Sequence, residues 1–237
     1  MLTNRFLNNR RGVELDMQER LLLERSITEV KSVPPRTTLV RIGSTLSHST
    51  LLLEGLLCRA MDDHKGQRQM VSIHIAGDFV DLHGYPLKSL DHEVASLTGA
   101  VIAIVPHSAL DRIVEQAPSL TRKLWYATLL DAAMHRAWLF RLGRLDGVGR
   151  LAHFLCETNA RLTSAGLSDG QRFALDITQS DLGEICGLTS VHVNRVLRIL
   201  REERLCVFRS ALVEVLDPAG LAARGEFDPQ YLYLRSP

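Results

Sequence analysis

This sequence of 237 residues is poor in aromatic side chains, in cysteine and in net charge. Aromatic residues make up only 5% of it, cysteine occurs four times, and the formal net charge is +1. Long apolar runs are also missing: stretches such as residues 101–105 are far shorter than the ~20 residues that a membrane-spanning helix needs. Because 46% of the residues are nevertheless apolar, the composition excludes a disordered chain as well as an integral membrane protein.

The four cysteines, Cys58, Cys156, Cys186 and Cys206, are scattered among apolar neighbours. No two of them have the short spacing of a zinc site, and nothing indicates a disulfide framework. We interpret them as small buried side chains of a protein in a reducing, cytoplasmic environment, and we expect no metal site. Residues 1–12 carry three arginines but lack the apolar stretch and cleavage site of a signal peptide, so we expect no membrane partner.

Charge is distributed unevenly along the chain. Residues 1–117 have a balance of −1 and residues 151–237 a balance of −2, whereas residues 118–150 carry +4. The middle stretch is therefore basic, whereas both flanks are slightly acidic. The small net charge argues against a protein that coats nucleic acid nonspecifically.

The first half of the sequence changes from a helical to a strand-like period. Residues 15–30 predict a helix with Leu15, Leu22, Leu23, Ile27 and Val30 near one face, which Pro34-Pro35 would end. Beyond it, short runs rich in Val, Ile, Leu and Thr are separated by turn residues, and they cover residues 37–42, 50–58, 69–75, 93–97 and 101–105. Many short strands at this spacing predict an antiparallel barrel or jelly roll.

Two helices are predicted after the strands. Residues 107–116 form a short candidate, and Pro118 is well placed in the first turn of a longer one that has no Gly or Pro from Ser119 to Leu142. The apolar residues of the long helix surround it and must therefore be covered on most faces: Leu120, Leu124, Ala127, Leu130, Met134, Trp138 and Phe140. A second copy of the chain is the simplest partner, so we expect a homodimer. The alternative is a core helix covered by its own chain.

Residues 177–205, ITQSDLGEICGLTSVHVNRVLRILREERL, predict two helices joined by a tight turn. The first spans residues 179–186, Gly187 suits a left-handed turn, and the second runs from Thr189 to about Glu203. One face of the second helix is aliphatic, and the opposite face carries Val191, Asn194, Arg195 and Arg198. Such a helix fits a DNA major groove, in which arginine can bind guanine. The alternative is an amphipathic helix with a solvated arginine face.

Two features on either side of these helices support the interpretation as a DNA-binding unit. Asp146, in a glycine-rich stretch, is a candidate N-cap for a helix from residue 148 to about 162, and it is our candidate hinge. A short strand over residues 173–177 precedes the two helices. Residues 207–209 and 212–216 predict a hairpin that would form the wing of a winged helix.

Together these segments resemble the Crp/Fnr superfamily, named for the cyclic-AMP receptor protein and the fumarate–nitrate regulator. LDGVGRLAHFLCE, residues 145–157, is similar to the family's hinge and following helix, and LTSVHVNRVL, residues 188–197, looks like a subgroup signature. The resemblance implies an α+β protein with a double-stranded β-helix, cyclic-nucleotide-binding-like sensor domain over residues 1–117. This domain would be followed by a dimerisation helix over 118–143, a winged helix-turn-helix over 144–218 and a tail over 219–237.

The same resemblance implies a transcriptional regulator that binds double-stranded DNA as a homodimer on a palindromic operator and contacts RNA polymerase. The family's base-reading positions fall on Ser190, Val191, Asn194 and Arg195. Positions that face phosphate or the groove edge fall on Gln179, Thr189 and His192. Well-known members carry glutamate in place of Val191. Valine can contact a thymine methyl but cannot accept from cytosine, which predicts a different half-site at that base pair.

The sensor domain departs from the family pattern. Residues 75–97 keep the Gly77-Asp78 start of the cyclic-nucleotide cassette, but its arginine position falls on or near Asp91-His92, and Lys88 is the only cation nearby in sequence. A carboxylate there would repel a cyclic phosphate, so we expect no cyclic-AMP binding. No cysteine precedes Cys58, which excludes the iron–sulfur cluster of the oxygen-sensing branch. We expect no cofactor, and the effector, if a small molecule is needed, is unknown.

Two other function classes compete with a DNA-binding regulator. A cupin-like metal enzyme would share the β-helix fold, but the sequence lacks its H-x-H ligand grouping. His74 or His83 could in principle bind haem iron. With nine histidines in the sequence, their positions are explained better by chance. A cyclic-nucleotide-binding module without DNA binding would lack the winged helix. We therefore expect a regulator that is not an enzyme.

Overall fold

Two antiparallel β-sheets form from the short apolar runs of the first half. The structure, a computed structural model, describes residues 1–235. One sheet has the strand order β1-β7-β3 and the other the order β2-β6-β4-β5. The strands are β1 (Glu29–Val33), β2 (Thr38–Val40), β3 (His48–Glu54), β4 (Leu57–Asp62), β5 (Arg68–His74), β6 (Glu93–Ser96) and β7 (Ala100–Pro106), and a short helix α2 (Gly84–Leu87) precedes β6.

Alternating side chains give strands β3 and β7 of the β1-β7-β3 sheet two buried faces. Leu52 of β3 and Ile102 of β7 pack against residues of the opposite sheet, among them Val94. Their neighbours Leu51 and Ala103 point the other way. There they pack on the helices α1 (Met17–Arg25) and α3 (His107–Gln116) and on the first turns of α4 (Pro118–Arg144). The sensor fold is therefore a double-layered β-roll with helices on one side.

The helix predicted for residues 15–30 is shorter than expected, and the prediction is wrong for its last third. Asp16 and Glu19 form a capping box that begins α1, but the helix ends at Arg25. Residues 29–33 instead form the exposed strand β1, in which Val30 is paired with Ala103 of β7. The pairing with β7 decides the conformation, because a short apolar pattern fits a helix and a strand equally well.

The run over residues 50–58 is two strands rather than one. Gly55 separates β3 from β4 with a φ of +85°, and a Cβ there would lie 2.2 Å from the carbonyl oxygen of Gly99. Only glycine fits this turn. The other predicted strands of the first half agree with the structure to within two residues at each end.

The second half is helical with a small sheet. It contains α5 (Gly147–Ser164), β8 (Arg172–Ala174), α6 (Gln179–Cys186), α7 (Ser190–Glu202), β9 (Cys206–Arg209), β10 (Leu212–Val215) and α8 (Pro218–Arg224). The sheet order is β8-β10-β9. The fully buried side chains of this half include Leu151 and Phe154 of α5 and Ile185 of α6. The predicted strand 173–177 is reduced to β8. In the region that we named a tail, α8 is followed by a 3₁₀-helix (Pro229–Leu232).

Chain contacts divide the described residues into two units. One contains residues 1–61, 72–132 and 235, and the other contains residues 62–71 and 133–234. The long helix α4 contributes to both. Among residues 1–235, no helix has the length and apolarity to span a membrane.

Candidate nucleic-acid interface

Helix α6 begins at a capping box. The Thr178 hydroxyl accepts a hydrogen bond from the backbone N–H of Asp181 (3.1 Å), and the Asp181 carboxylate accepts one from the N–H of Thr178 (2.6 Å). These bonds satisfy donors that a helix start would leave free. Leu182 and Ile185 are fully buried and fix α6 in the core of its unit.

The turn between α6 and α7 is tight. Gly187 has a left-handed conformation (φ 63°, ψ 44°), and Leu188 donates its N–H to the carbonyl of Gly183 at 2.9 Å. A Cβ on Gly183 would lie 2.6 Å from the carbonyl oxygen of Leu188. The close approach requires glycine at 183, so it holds α7 at a fixed angle to α6.

One face of α7 is buried and the opposite face is exposed. Thr189 caps the helix by accepting from the N–H of His192 (3.3 Å). Val193, Val196 and Leu200 are at most 1% exposed. The exposed face carries Ser190, Val191, Asn194, Arg195 and Arg198, and Val191 is 81% exposed. The predicted amphipathic division of this helix is confirmed.

An open cleft of about 630 Å³ lies between α7 and the β9–β10 wing. Four arginines line it: Arg195, Arg198 and Arg201 from α7 and Arg209 from the wing. Arg198 approaches Glu202 at 3.8 Å. Within residues 1–235 the other three form no ion pair with a carboxylate. Although residues 151–237 have a balance of −2, the fold thus gathers cations on one surface.

The predicted DNA-contacting residues lie mostly together. Gln179, Val191, Asn194 and Arg195 line the cleft, and Asn194 Nδ2 donates to the carbonyl of Ser190 at 3.2 Å. Thr189 and Ser190 lie at the start of α7. His192 is exposed as well, but its Nε2 lies only 3.1 Å from where a Cβ on Gly147 would be, which places the ring beside the start of α5.

The wing contributes to the same cleft, which the sequence did not predict. Phe208 and Arg209 line the same cleft as α7, and Ser210 and Ala211 form the hairpin turn with positive φ. The hairpin was recognisable from the sequence, but the direction of its side chains follows from the packing of β9 beside α7.

Comparison with known proteins agrees with this geometry. Residues 149–224 match the family model of the Crp-like helix-turn-helix domain. The transcriptional activator protein FnrA of Stutzerimonas stutzeri is 24% identical over 211 residues, which cover 89% of this chain and 86% of that one. A probable transcriptional activator of Rhizobium leguminosarum bv. viciae is 29% identical over 182 residues, covering 74% and 73%. Residues 149–224 therefore match a Crp-like helix-turn-helix domain, and most of the chain is similar to transcriptional activators.

The fold of the chain is similar to that of solved proteins. The structure of FixK2 from Bradyrhizobium japonicum superimposes with a TM-score of 0.75 at 21% identity, covering 82% of this chain and 96% of that one. The c-di-GMP-responsive regulator CLP of Xanthomonas campestris gives a TM-score of 0.65 at 17% identity. The predicted α+β architecture of a β-helix sensor, a long helix and a winged helix-turn-helix is confirmed. The chain is a DNA-binding transcription regulator.

The candidate hinge residue of the regulator caps α5 as predicted. Asp146 Oδ1 accepts from the N–H of Gly149, and Oδ2 accepts from the Arg224 guanidinium of α8, both at 2.7 Å. The hydrogen bond from Arg224 is the main cause of the lowered pKa of Asp146. The carboxylate therefore joins the start of α5 to the end of α8.

The sensor domain of the regulator contains a buried cation that sequence analysis missed. Arg59 of β4 is 3% exposed, donates from Nε to the carbonyl of Val80 (2.8 Å) and from Nη1 to Asp131 of α4 (2.5 Å). Lys88 is the only cation within residues 75–97 of the sequence, but the fold brings Arg59 beside them. Arg59 precedes residues 75–97 by 16 residues in sequence, but its strand β4 pairs with β6 in the sheet, which no local pattern could reveal.

Three histidines surround Arg59. Burial, and then the charge of Arg59, lowers the pKa of His74 to about 4 and that of His83 to about 3, and it lowers the pKa of His92 as well. His74 Nε2 lies 3.0 Å from the Ser72 hydroxyl. Within residues 1–235, no group of three or more His, Cys, Asp and Glu side chains is arranged to hold a metal ion.

Proposed function

We propose that this regulator binds a two-fold symmetric operator as a homodimer and reads bases with Ser190, Val191, Asn194 and Arg195 of α7. The observation that carries the proposal is the exposed polar face of α7 beside a cleft lined by four arginines. We assign the sensor to residues 1–117, the dimerisation helix to 118–143, the DNA-binding domain to 144–218 and the tail to the remainder.

Each base-reading assignment follows from side-chain chemistry. The major groove admits one helix, and the Arg195 guanidinium can donate to O6 and N7 of guanine. Val191 is the most exposed apolar side chain of α7, and a thymine methyl would cover it. Asn194 can pair with adenine once it releases the carbonyl of Ser190. The LTSVHVNRVL segment would then define a subgroup with its own half-site.

Phosphate contacts would position the helix in the groove. The start of α7 offers free backbone N–H groups and the positive end of the helix dipole, which bind phosphate well. Thr189 and His192 lie at this end, and Gln179 at the start of α6 lines the same cleft. Arg201 and Arg209 of the cleft, which sequence analysis did not assign, supply further cations.

The homodimer is supported by α4. Leu120, Leu124, Leu130, Met134 and Trp138 are buried within their own chain, but a second set of apolar side chains on α4 is exposed. Trp125 is 65%, Leu129 55%, Leu139 75% and Phe140 47% exposed. At 100° per residue these four lie within one stripe, which a second copy of α4 would cover. Two α7 helices could then enter successive major grooves, ~34 Å apart.

Other partners follow from the family. We propose that the DNA-bound dimer contacts RNA polymerase. Cyclic AMP is not the effector in this proposal, because Arg59 is already held by Asp131, and the exposed Asp91 and Lys88 do not form a phosphate site. A micromolar affinity for labelled cyclic AMP would contradict this.

The test is selection of genomic DNA fragments by the purified protein, followed by sedimentation of the protein–DNA complex. The proposal predicts a dimer at micromolar concentration and two chains on each selected duplex, whose sequence has inverted repeats. A monomer that binds single half-sites, or fragments without a shared sequence, would refute it.

A further inference from the structure

The C-terminal end of α6 is held by three side chains from outside the helix. The last carbonyls of a helix have no partner within it. Here the carbonyls of Glu184, Ile185 and Cys186 accept hydrogen bonds from Gln69, Arg141 and Arg150, respectively. All six residues belong to the same unit. Cationic donors at this end also complement the helix dipole.

Arg141 is the most unusual of the three donors. It lies on α4 and is fully buried, with Nη2 donating to the carbonyl of Ile185 at 3.0 Å. Its guanidinium carbon lies 4.0 Å from the ring centre of Trp138 and 5.6 Å from that of Phe154. Its Nε and Nη1 donate to no acceptor within residues 1–235.

Stability does not account for this arginine. Glu157 contributes a favourable charge, but its carboxylate accepts from the Trp138 indole (3.0 Å) and the Tyr231 hydroxyl (2.7 Å) and not from Arg141. Burial lowers the pKa of Arg141 because the charged form is desolvated. An apolar side chain of similar volume would avoid that penalty, and such replacements are often neutral or stabilising.

The geometry instead links two functional elements. We propose that Arg141 is a positioning residue, which fixes α6, and through the tight Gly187 turn α7, against the C-terminal part of α4. The guanidinium packs against the Trp138 ring with Phe154 close by, so its single hydrogen bond has a defined direction. The inference rests on the proposed homodimer: if α4 pairs with its copy, the placement of α6 on α4 sets the separation of the two α7 helices and thus the accepted half-site spacing.

The test compares Arg141→Met with Arg144→Met, which removes the same charge from an exposed position on the same helix. Binding is measured by fluorescence anisotropy on the selected operator and on versions with one base pair inserted or deleted between the half-sites. Arg141→Met should lose about tenfold in affinity for the native spacing and clearly less for the altered spacings. Its melting temperature should stay at or above that of the wild type, and Arg144→Met should keep the wild-type spacing preference.

Amide hydrogen exchange of the free protein is a second test, which needs no DNA. Arg141→Met should exchange faster at the end of α6 and in the turn over residues 186–188, while the β9–β10 wing stays unchanged. Wild-type spacing preference and exchange in Arg141→Met would overturn the inference, and so would a fall in melting temperature with equal losses on every spacing. A wild-type protein that binds no two-fold operator would refute the proposed function instead, and the exchange data alone would then decide the role of Arg141.

Discussion

The ion pair between Arg59 and Asp131 should contribute far more to stability than an ion pair on the surface. Its side chains are 3% and 19% exposed and approach to 2.5 Å. Asp131→Ala would leave the guanidinium buried, with the carbonyl of Val80 as its remaining acceptor in the structure. Breaking a buried pair in this way costs about 3–5 kcal/mol. Because Asp131 keeps some contact with solvent, we expect the lower end, about 3 kcal/mol.

Urea unfolding followed by circular dichroism measures this cost. Glu214→Ala is the control, because it breaks the Arg172–Glu214 pair, whose side chains are 61% and 37% exposed, and should cost about 0–1 kcal/mol. Replacing both buried partners, with Arg59→Met and Asp131→Leu, should recover most of the loss. The reasoning is refuted if Asp131→Ala costs no more than Glu214→Ala, or if the double variant is no more stable than Asp131→Ala.

Three further predictions concern pH, the cap of α5 and the half-site. Since the pKa of His74 falls from 6.5 to about 4 on folding, its contribution to stability is complete above pH 6.5 and is lost as the pH falls toward 4. Asp81, whose pKa is raised to about 6, opposes this loss below that pH. Urea unfolding at pH 7 and pH 5 should show a smaller decline for His74→Gln than for the wild type, and an equal decline would contradict the assignment. Asp146→Ala should cost about 1 kcal/mol through the lost N-cap, measured by the same unfolding assay, and unchanged stability would refute the cap's contribution. Val191→Glu should move the preferred base at one position of each half-site toward cytosine, and an unchanged preference in binding-site selection would show that this side chain does not contact the base.

The DNA-binding half of the molecule was largely predictable, because its signals are local. Helix α6 has the predicted bounds, residues 179–186, since a cap, a short aliphatic pattern and Gly187 lie close together in sequence. The exposed face of α7 follows from the same periodicity. Residues 29–33 were predicted incorrectly because their conformation depends on pairing with β7, more than 60 residues away.

Buried polar contacts could not be predicted. The sequence shows Arg59 and Arg141 as charged residues in apolar surroundings, but their partners Asp131 and Ile185 lie 72 and 44 residues away. Likewise, the summed charge of residues 151–237 does not reveal the cluster of Arg195, Arg201 and Arg209, because acidic residues elsewhere in this stretch cancel its positive charge in the sum. Which charges share a surface is decided by packing, and only the folded chain shows it.

Arg195→Ala tests the central claim, that α7 reads bases. Its affinity should be measured for the selected operator and for operators with each half-site base pair replaced in turn, with Arg172→Ala as the matched control outside the cleft. The account predicts a loss of about 1–3 kcal/mol for the selected operator together with lost discrimination at one guanine. A uniform weakening on all sequences would contradict it, because Arg195 would then contact phosphate and not a base.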